Sequence, residues 1–215
     1  GPVAISVTGN LDIPGLAGTS SGWGGSAVIT INGTGTQSIT GTTDSGQIYI
    51  RVPSITINKP SGTLSLVNGI NVRTNWTYLA GKVNVGTSLL MFSATSTVTG
   101  SMAVYDLTFE KTASATVAVT LASGTTMTVL NTMTLNHTNA SNAETINGPG
   151  TITANGNVSV TGSTSTSGFN GSVAVTFAGS TNTTFTSNTT TFPTGNVTFS
   201  KSAGYKLSLL ANTTF

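Results

Sequence analysis

Short runs in which apolar and polar residues alternate recur along this chain, and they constrain its fold more than any other feature. One unit places such a run, Ser54 to Asn58, before Lys59, and a second run, Thr63 to Leu66, follows after a short gap. The same order of run, lysine, gap and run returns at residues 106–121 and 196–210. Alternation with a period of two is typical of half-buried β-strands. The chain is therefore predicted to consist of short strands and turns.

The parity of these runs gives every predicted strand one apolar face. Ile55 and Ile57 would face inward in the first unit, and the equivalent residues in the other two are Leu107, Phe109, Val197 and Phe199. No segment carries apolar residues at helical spacing over three turns, and Thr, Val, Ile, Gly and Asn are weak helix formers. An all-β fold follows.

Two all-β architectures suit such strands, and the residues favour a right-handed parallel β-helix, or β-solenoid, with irregular coils. Stacked copies of Thr, Ser and Asn are tolerated in register, and with only 6% charged residues the stack avoids like-charge repulsion. Insertions of variable length are absorbed in turns. The alternative is a β-sandwich, or two in tandem.

The chain divides into three parts by pattern. Residues 1–2 are interpreted as a scar of tag removal, and residues 3–25 as an N-terminal strand with a loop or cap. Residues 26–215 form the repeat domain, with modules at about 26–85, 86–167 and 168–215.

The segment GTGTQSITG at residues 33–41, leading to SITINKPSGTLSL at 54–66, resembles a known group. It is similar to the Thr/Asn/Gly-rich repeats of large secreted bacterial surface proteins, adhesin-like proteins with parallel β-helix stalks. Residues 148–160 also resemble a coil of that group, and the resemblance covers residues 26–215. It implies an extracellular or cell-surface location and a non-catalytic structural or adhesive role.

Composition excludes several function classes. The net charge is +2 and the seven basic residues are dispersed, which gives no basic stripe for nucleic acid. There is no cysteine for disulfides or thiolate metal sites, and no apolar run long enough to span a membrane. Glycans or neighbouring surface proteins are the expected partners.

Catalytic chemistry has few candidate residues. Among five acidic residues, Asp106 and Glu110 share a strand face but would lie about 13 Å apart. His137 is the only histidine, in a polar stretch predicted to be a loop, and it lacks a second metal ligand nearby. We therefore expect no catalytic residue, metal or cofactor. A polysaccharide-degrading β-helix enzyme or a phage tailspike fragment is the alternative.

Two sets of residues carry specific expectations, three lysines and three aromatic residues. Lys59, Lys111 and Lys201 are predicted to cover coil edges with their stems and to hold their ammonium groups in water, rather than to form a cationic row. Trp76 and Tyr78 lie two residues apart on one face of a predicted strand. These two residues and Trp23 are the candidate glycan-binding residues. Burial of the tryptophans is the competing interpretation.

Thr-x-Thr pairs suggest one further alternative, an ice-binding solenoid with ranked threonines. The pairs considered are Thr34/Thr36, Thr97/Thr99, Thr151/Thr153 and Thr189/Thr191. Such a face needs the pairs to stack at one position in successive coils. The irregular spacing of the modules argues against that stacking.

Overall fold

The computed structural model describes residues 3–13, 25–41, 49–111, 117–137, 144–162, 169–188, 192–193 and 195–210. Within these ranges there is no helix, and every strand pairing is parallel. The strands stack on one another as a β-solenoid of about seven turns. The predicted solenoid is thus confirmed, and the sandwich alternative is wrong.

In chain order the described strands are β1 (Ala4–Val7), β2 (Leu11–Ile13), β3 (Val28–Ile31), β4 (Gln37–Gly41), β5 (Tyr49–Val52), β6 (Ser54–Val67), β7 (Gly69–Val72), β8 (Asn75–Asn84), β9 (Leu89–Phe92), β10 (Ser96–Thr99), β11 (Met102–Lys111), β12 (Val117–Leu121), β13 (Thr126–His137), β14 (Glu144–Asn147), β15 (Thr151–Ala154), β16 (Asn157–Gly162), β17 (Phe169–Asn170), β18 (Ala174–Phe177), β19 (Thr183–Ser187), β20 (Val197–Phe199) and β21 (Leu207–Leu209).

Each complete turn passes through three sides in a fixed order. Side 1 stacks β1, β3, the start of β6, the start of β8, β10, β12, β14 and β17. Side 2 follows it, formed first by β2, β4 and the ends of β6 and β8, and in later turns by the starts of β11 and β13 with β15, β18 and β20. Side 3 stacks β5, β7, β9, the ends of β11 and β13, β16, β19 and β21.

The turns differ in length, as the sequence predicts. Leu89 pairs with Asp106, a separation of 17 residues, whereas Leu11 pairs with Ile39, a separation of 28. The strand registers nevertheless stay continuous, because the length differences lie in the segments between the paired strands. The structural repeat is therefore one turn, shorter than the modules inferred from the sequence.

The first turn begins earlier than expected. Residues 3–25 were predicted to hold one strand and a loop or cap outside the repeat. Both β1 and β2 pair in parallel with the strands of the next turn, β3 and β4. The solenoid thus already includes Ala4, and the short alternation of β2 was too brief to identify as a strand.

The interior is a set of apolar ladders that run from turn to turn. Ile55, Ile57, Leu107 and Phe109 are buried, as their parity predicts. The third unit differs, because Val197 is only partly buried and Phe199 is 56% exposed. Their strand, β20, pairs with β18 on one side and with no other described strand. An inward-facing residue needs a turn on each side to be covered.

Side-chain amides and carboxylates tie one turn to the next where backbone pairing is interrupted. Asn10, Asn75 and Asn157 each accept a hydrogen bond from a backbone N–H of the following turn, donated by Ser38, Thr97 and Thr184 at 3.0, 3.0 and 2.9 Å. Unpaired backbone groups are costly when they are removed from water. The same cap thus recurs in three separate turns.

Substitution of Phe109 tests the continuity of the interior ladder. Phe109 is 1% exposed and its ring stacks on Phe92 with the centroids 5.8 Å apart. We expect Phe109→Ala to lower the free energy of unfolding by about 3–5 kcal/mol, since it removes buried apolar area and leaves a cavity. Denaturant unfolding measures the change.

The matched control is Phe199→Ala on β20. Because that ring is more than half exposed, we expect a loss of about 1 kcal/mol or less. Equal destabilisation by the two variants would contradict the difference in burial between Phe109 and Phe199.

Candidate functional site

The most elaborate polar site lies where side 1 turns into side 2. Lys59, in the middle of β6, is only 2% exposed. Its Nζ donates hydrogen bonds to the carbonyl oxygens of Gly33 and Gly35, at 2.7 and 2.9 Å, and to Oε1 of Gln37 at 2.6 Å. The ammonium therefore reaches back one turn into the solenoid, to the loop between β3 and β4.

Gln37 extends this network by a further turn. Its Nε2 donates to the carbonyl oxygens of Val7 and Gly9, at 3.0 and 2.5 Å. Val7 and Gly9 belong to the same corner in the turn before, between β1 and β2. A continuous polar connection thus links three successive turns from Lys59 to Gly9.

The chemistry of the corner explains why a lysine is suited to it. Backbone carbonyls at a corner leave the sheet ladder and, once buried, need other donors. An ammonium group has three N–H donors and no acceptor, which matches the three oxygens around Lys59. Burial lowers the pKa of Lys59 below its ordinary value, because removal from water disfavours the charged form.

Lys201 repeats the arrangement between sides 2 and 3. It follows β20, and its Nζ donates to the carbonyl oxygen of Ala178, which follows β18 one turn earlier, at 2.6 Å. Burial lowers the pKa of Lys201 as well. Lys111 ends β11 beside His137, where side 3 turns into side 1, and its side chain lies outside the described part.

The prediction for the lysines needs correction. At Lys59 the ammonium is not in water but satisfies buried carbonyls, and at Lys201 it binds one. A structural rather than a functional role agrees with these contacts, since the three lysines mark three different corners and form no row. Lys59 and Lys201 each supply a hydrogen-bond donor to carbonyl oxygens at their own corner.

The aromatic strip expected on β8 does not form a binding surface. Trp76 is 0% exposed, and its Nε1 donates to Sδ of Met102 at 3.0 Å. Tyr78 packs against the core and its hydroxyl donates to the carbonyl oxygen of Gly81 at 2.6 Å. The glycan-binding role predicted for Trp76 is therefore wrong, because a buried indole has no free face. Trp23 lies outside the described residues.

The acidic residues of β11 bind the neighbouring turn. Asp106 accepts hydrogen bonds from Nδ2 of Asn131 at 2.8 Å and from the backbone N–H of Thr132 at 2.9 Å. Glu110 accepts one from Nδ2 of Asn136 at 3.3 Å. Both carboxylates thus contact the next turn of side 3, and this use is structural.

His137 and Glu144 lie inside the corner between sides 3 and 1. His137 ends β13 rather than lying in a loop, and both side chains are 0% exposed. The imidazole meets the ring of Phe169 edge-on, with centroids 5.9 Å apart, and Phe169 is the register neighbour of Glu144. The burial of His137 and Glu144 was not predicted, since the stretch that joins them in the sequence is polar.

Metal-binding clusters and membrane-spanning helices are both absent from the described residues. These residues include no group of three or more His, Asp or Glu side chains placed to hold a metal ion. They also include no helix long and apolar enough to cross a membrane. Asp44, one of the five acids, lies outside them.

Threonines stack in register on the outside of the solenoid, and side 2 carries two adjacent ranks of them. On side 2, Thr128 pairs in register with Thr153, Thr153 with Thr176, and Thr176 with Thr198. A second rank begins with Thr126 beside Thr151. The predicted requirement that Thr-x-Thr pairs stack is therefore met by Thr126/Thr128 and Thr151/Thr153. Thr189/Thr191 lies outside the described residues.

No protein-family profile, curated protein or solved structure matches this chain.

Replacement of Lys59 tests the corner network. Lys59→Met keeps the length and packing of the side chain but leaves the Gly33, Gly35 and Gln37 oxygens without their donor. We expect the free energy of unfolding to fall by about 3 kcal/mol, the order expected for unsatisfied buried acceptors. Denaturant unfolding followed by circular dichroism measures it.

Lys82→Met, at an exposed position of β8, is the control and should change stability by about 0.5 kcal/mol or less. If the two variants were equally stable, the buried ammonium would have no role in holding the turns together.

Proposed function

We propose that the chain is a non-catalytic structural or adhesive segment of an extracellular or cell-surface protein, in which it acts as a stiff spacer. The observation that carries this proposal is the continuous parallel stacking of three sides through about seven turns. A repeated hydrogen-bonded ladder along one axis resists bending, since each turn is held by its neighbours over all three sides.

The use of the charged residues supports the same role. Lys59, Lys201, Asp106 and Glu110 all hydrogen-bond to an adjacent turn. These groups stabilise the stack and are not grouped around a common cleft. A surface of Thr, Ser and Asn without strong charge suits weak, multivalent contact with hydroxyl-rich or protein surfaces.

Pulling the chain from both ends tests the spacer role. In a polyprotein between reference domains, we expect force peaks as turns unfold, each releasing about 60–100 Å for turns of 17–28 residues. Single-molecule force spectroscopy measures both the force and the released length. Leu107→Ala should lower the force, because it weakens the interior ladder.

Extension without peaks, at the force that stretches an unfolded chain, would contradict the spacer role. Release of sugars from a panel of polysaccharides would contradict the non-catalytic part of the proposal. The exposed-position variant Lys82→Met is the control and should unfold at the same force as the original chain.

A further inference from the structure

Side 2 carries an array of threonines, stacked in register, that the spacer role does not need. The threonine face comprises the outward residues Thr126, Thr128, Thr151, Thr153, Thr176 and Thr198. Along β13, β15 and β18 these threonines alternate with buried residues that face inward. The face is therefore set by the parity of four stacked strands.

The interior holds these threonines in place. Met127, Ile152 and Val175 stack in register directly beneath the face, and Phe177 stacks on Phe199 with centroids 5.4 Å apart. Threonine is branched at Cβ, and so its side chain has few orientations on a strand. The hydroxyl and methyl groups of each rank thus repeat with the spacing of the backbone.

The hydroxyl groups of the threonine face are not occupied within the described part of the protein: none takes part in a side-chain hydrogen bond there. Side 3 differs, because Thr184 donates its hydroxyl to Asn157 at 3.2 Å and Thr186 donates to the carbonyl oxygen of Val158 at 3.4 Å. The threonine face can therefore bind water or an external lattice through all its hydroxyls.

Its spacing fits one lattice in particular. Parallel strands lie about 4.7–4.9 Å apart, which is the repeat of each threonine rank. Water oxygens about 2.75 Å apart in a tetrahedral network place second neighbours about 4.5 Å apart. The two repeats differ by only about 0.2–0.4 Å per strand, and so hydroxyls on neighbouring strands can lie close to successive oxygens of such a network.

We propose that the threonine face binds ice. Neither an aromatic ring nor a charged side chain occupies its outward positions, and so it lacks the platform on which a sugar ring stacks. The methyl groups limit hydrogen bonding to disordered water, and the hydroxyls complete an ordered layer that freezes onto the crystal. Ice binding is independent of the spacer role, which concerns the backbone.

Thermal hysteresis and ice-crystal shape in a nanolitre osmometer test the proposal. The original chain should separate the melting and freezing temperatures and shape the crystal. Thr153→Tyr places a bulky ring in the centre of the face and should abolish most of this activity. Thr134→Tyr, the same change on side 3, should leave it intact.

A gain of activity provides a test that misfolding cannot imitate. Ala174 interrupts the second rank directly after Thr151. Ala174→Thr adds a hydroxyl and a methyl at the missing position, and we expect a several-fold larger hysteresis at the same protein concentration. Matched circular dichroism and melting temperatures establish that the variants are folded.

Three results would overturn the proposal. One is a folded original chain without hysteresis or crystal shaping. Another is equal loss of activity in Thr153→Tyr and Thr134→Tyr, which would exclude side 2 as the binding face. The third is retention on crystalline cellulose or chitin but not on ice, which would make the face a glycan-binding surface. None of these bears on the force measured by pulling the ends.

Discussion

Parallel stacking in register is the constraint on which the whole structure depends. Every residue of a strand lies beside its counterpart one turn away, at the distance between two neighbouring strands. Like charges at that distance destabilise the pair, whereas apolar, hydroxyl and amide side chains stack favourably. The low charge and the abundance of threonine, 44 of 215 residues, are therefore consequences of the fold. Inside the solenoid Val98 stacks on Trp76, and outside it Thr153 stacks on Thr128. Both pairs follow from the same strand register.

The corners are where this rule is relaxed, and Lys59 and Lys201 lie at two of them. A carbonyl that leaves the ladder at a corner needs a donor from elsewhere in the protein. Lys59 and Gln37 supply donors between sides 1 and 2, and Lys201 does so between sides 2 and 3. Both lysines therefore hold one turn to the next.

Much of the fold could be predicted from local pattern. The parity of Ile55 and Ile57 identified the buried face, and alternation identified the strands, because both depend on nearest neighbours in the chain. The location of the Lys59 ammonium could not be predicted, since its acceptors lie about one turn away in sequence. The choice between a glycan-binding and a buried Trp76 stayed open for the same reason, since its burial depends on the turns stacked on either side. Phe199 shows the reverse case, with correct parity but no covering strand among the described residues.

In the sequence the threonine face was recognisable only as a pattern of residue types. Thr-x-Thr pairs are visible in the sequence, but their stacking depends on turn lengths, which vary from 17 to 28 residues. Equal turn lengths are not needed, because the intervening segments absorb the difference before the next strand pairs. Irregular spacing of the modules in the sequence therefore does not exclude a stacked threonine face.

Engineered cysteine pairs test the strand register of side 2 most directly, because the chain has no cysteine of its own. Thr153→Cys with Thr176→Cys places the two residues as register neighbours, about 4.8 Å apart and within disulfide reach. Thr153→Cys with Ala174→Cys places them on a diagonal about 8 Å apart, beyond that reach. Mild oxidation and peptide mapping should show a disulfide in the first pair only. A disulfide in the second pair instead would mean that the strands are out of register, and the stacked threonine face would not exist.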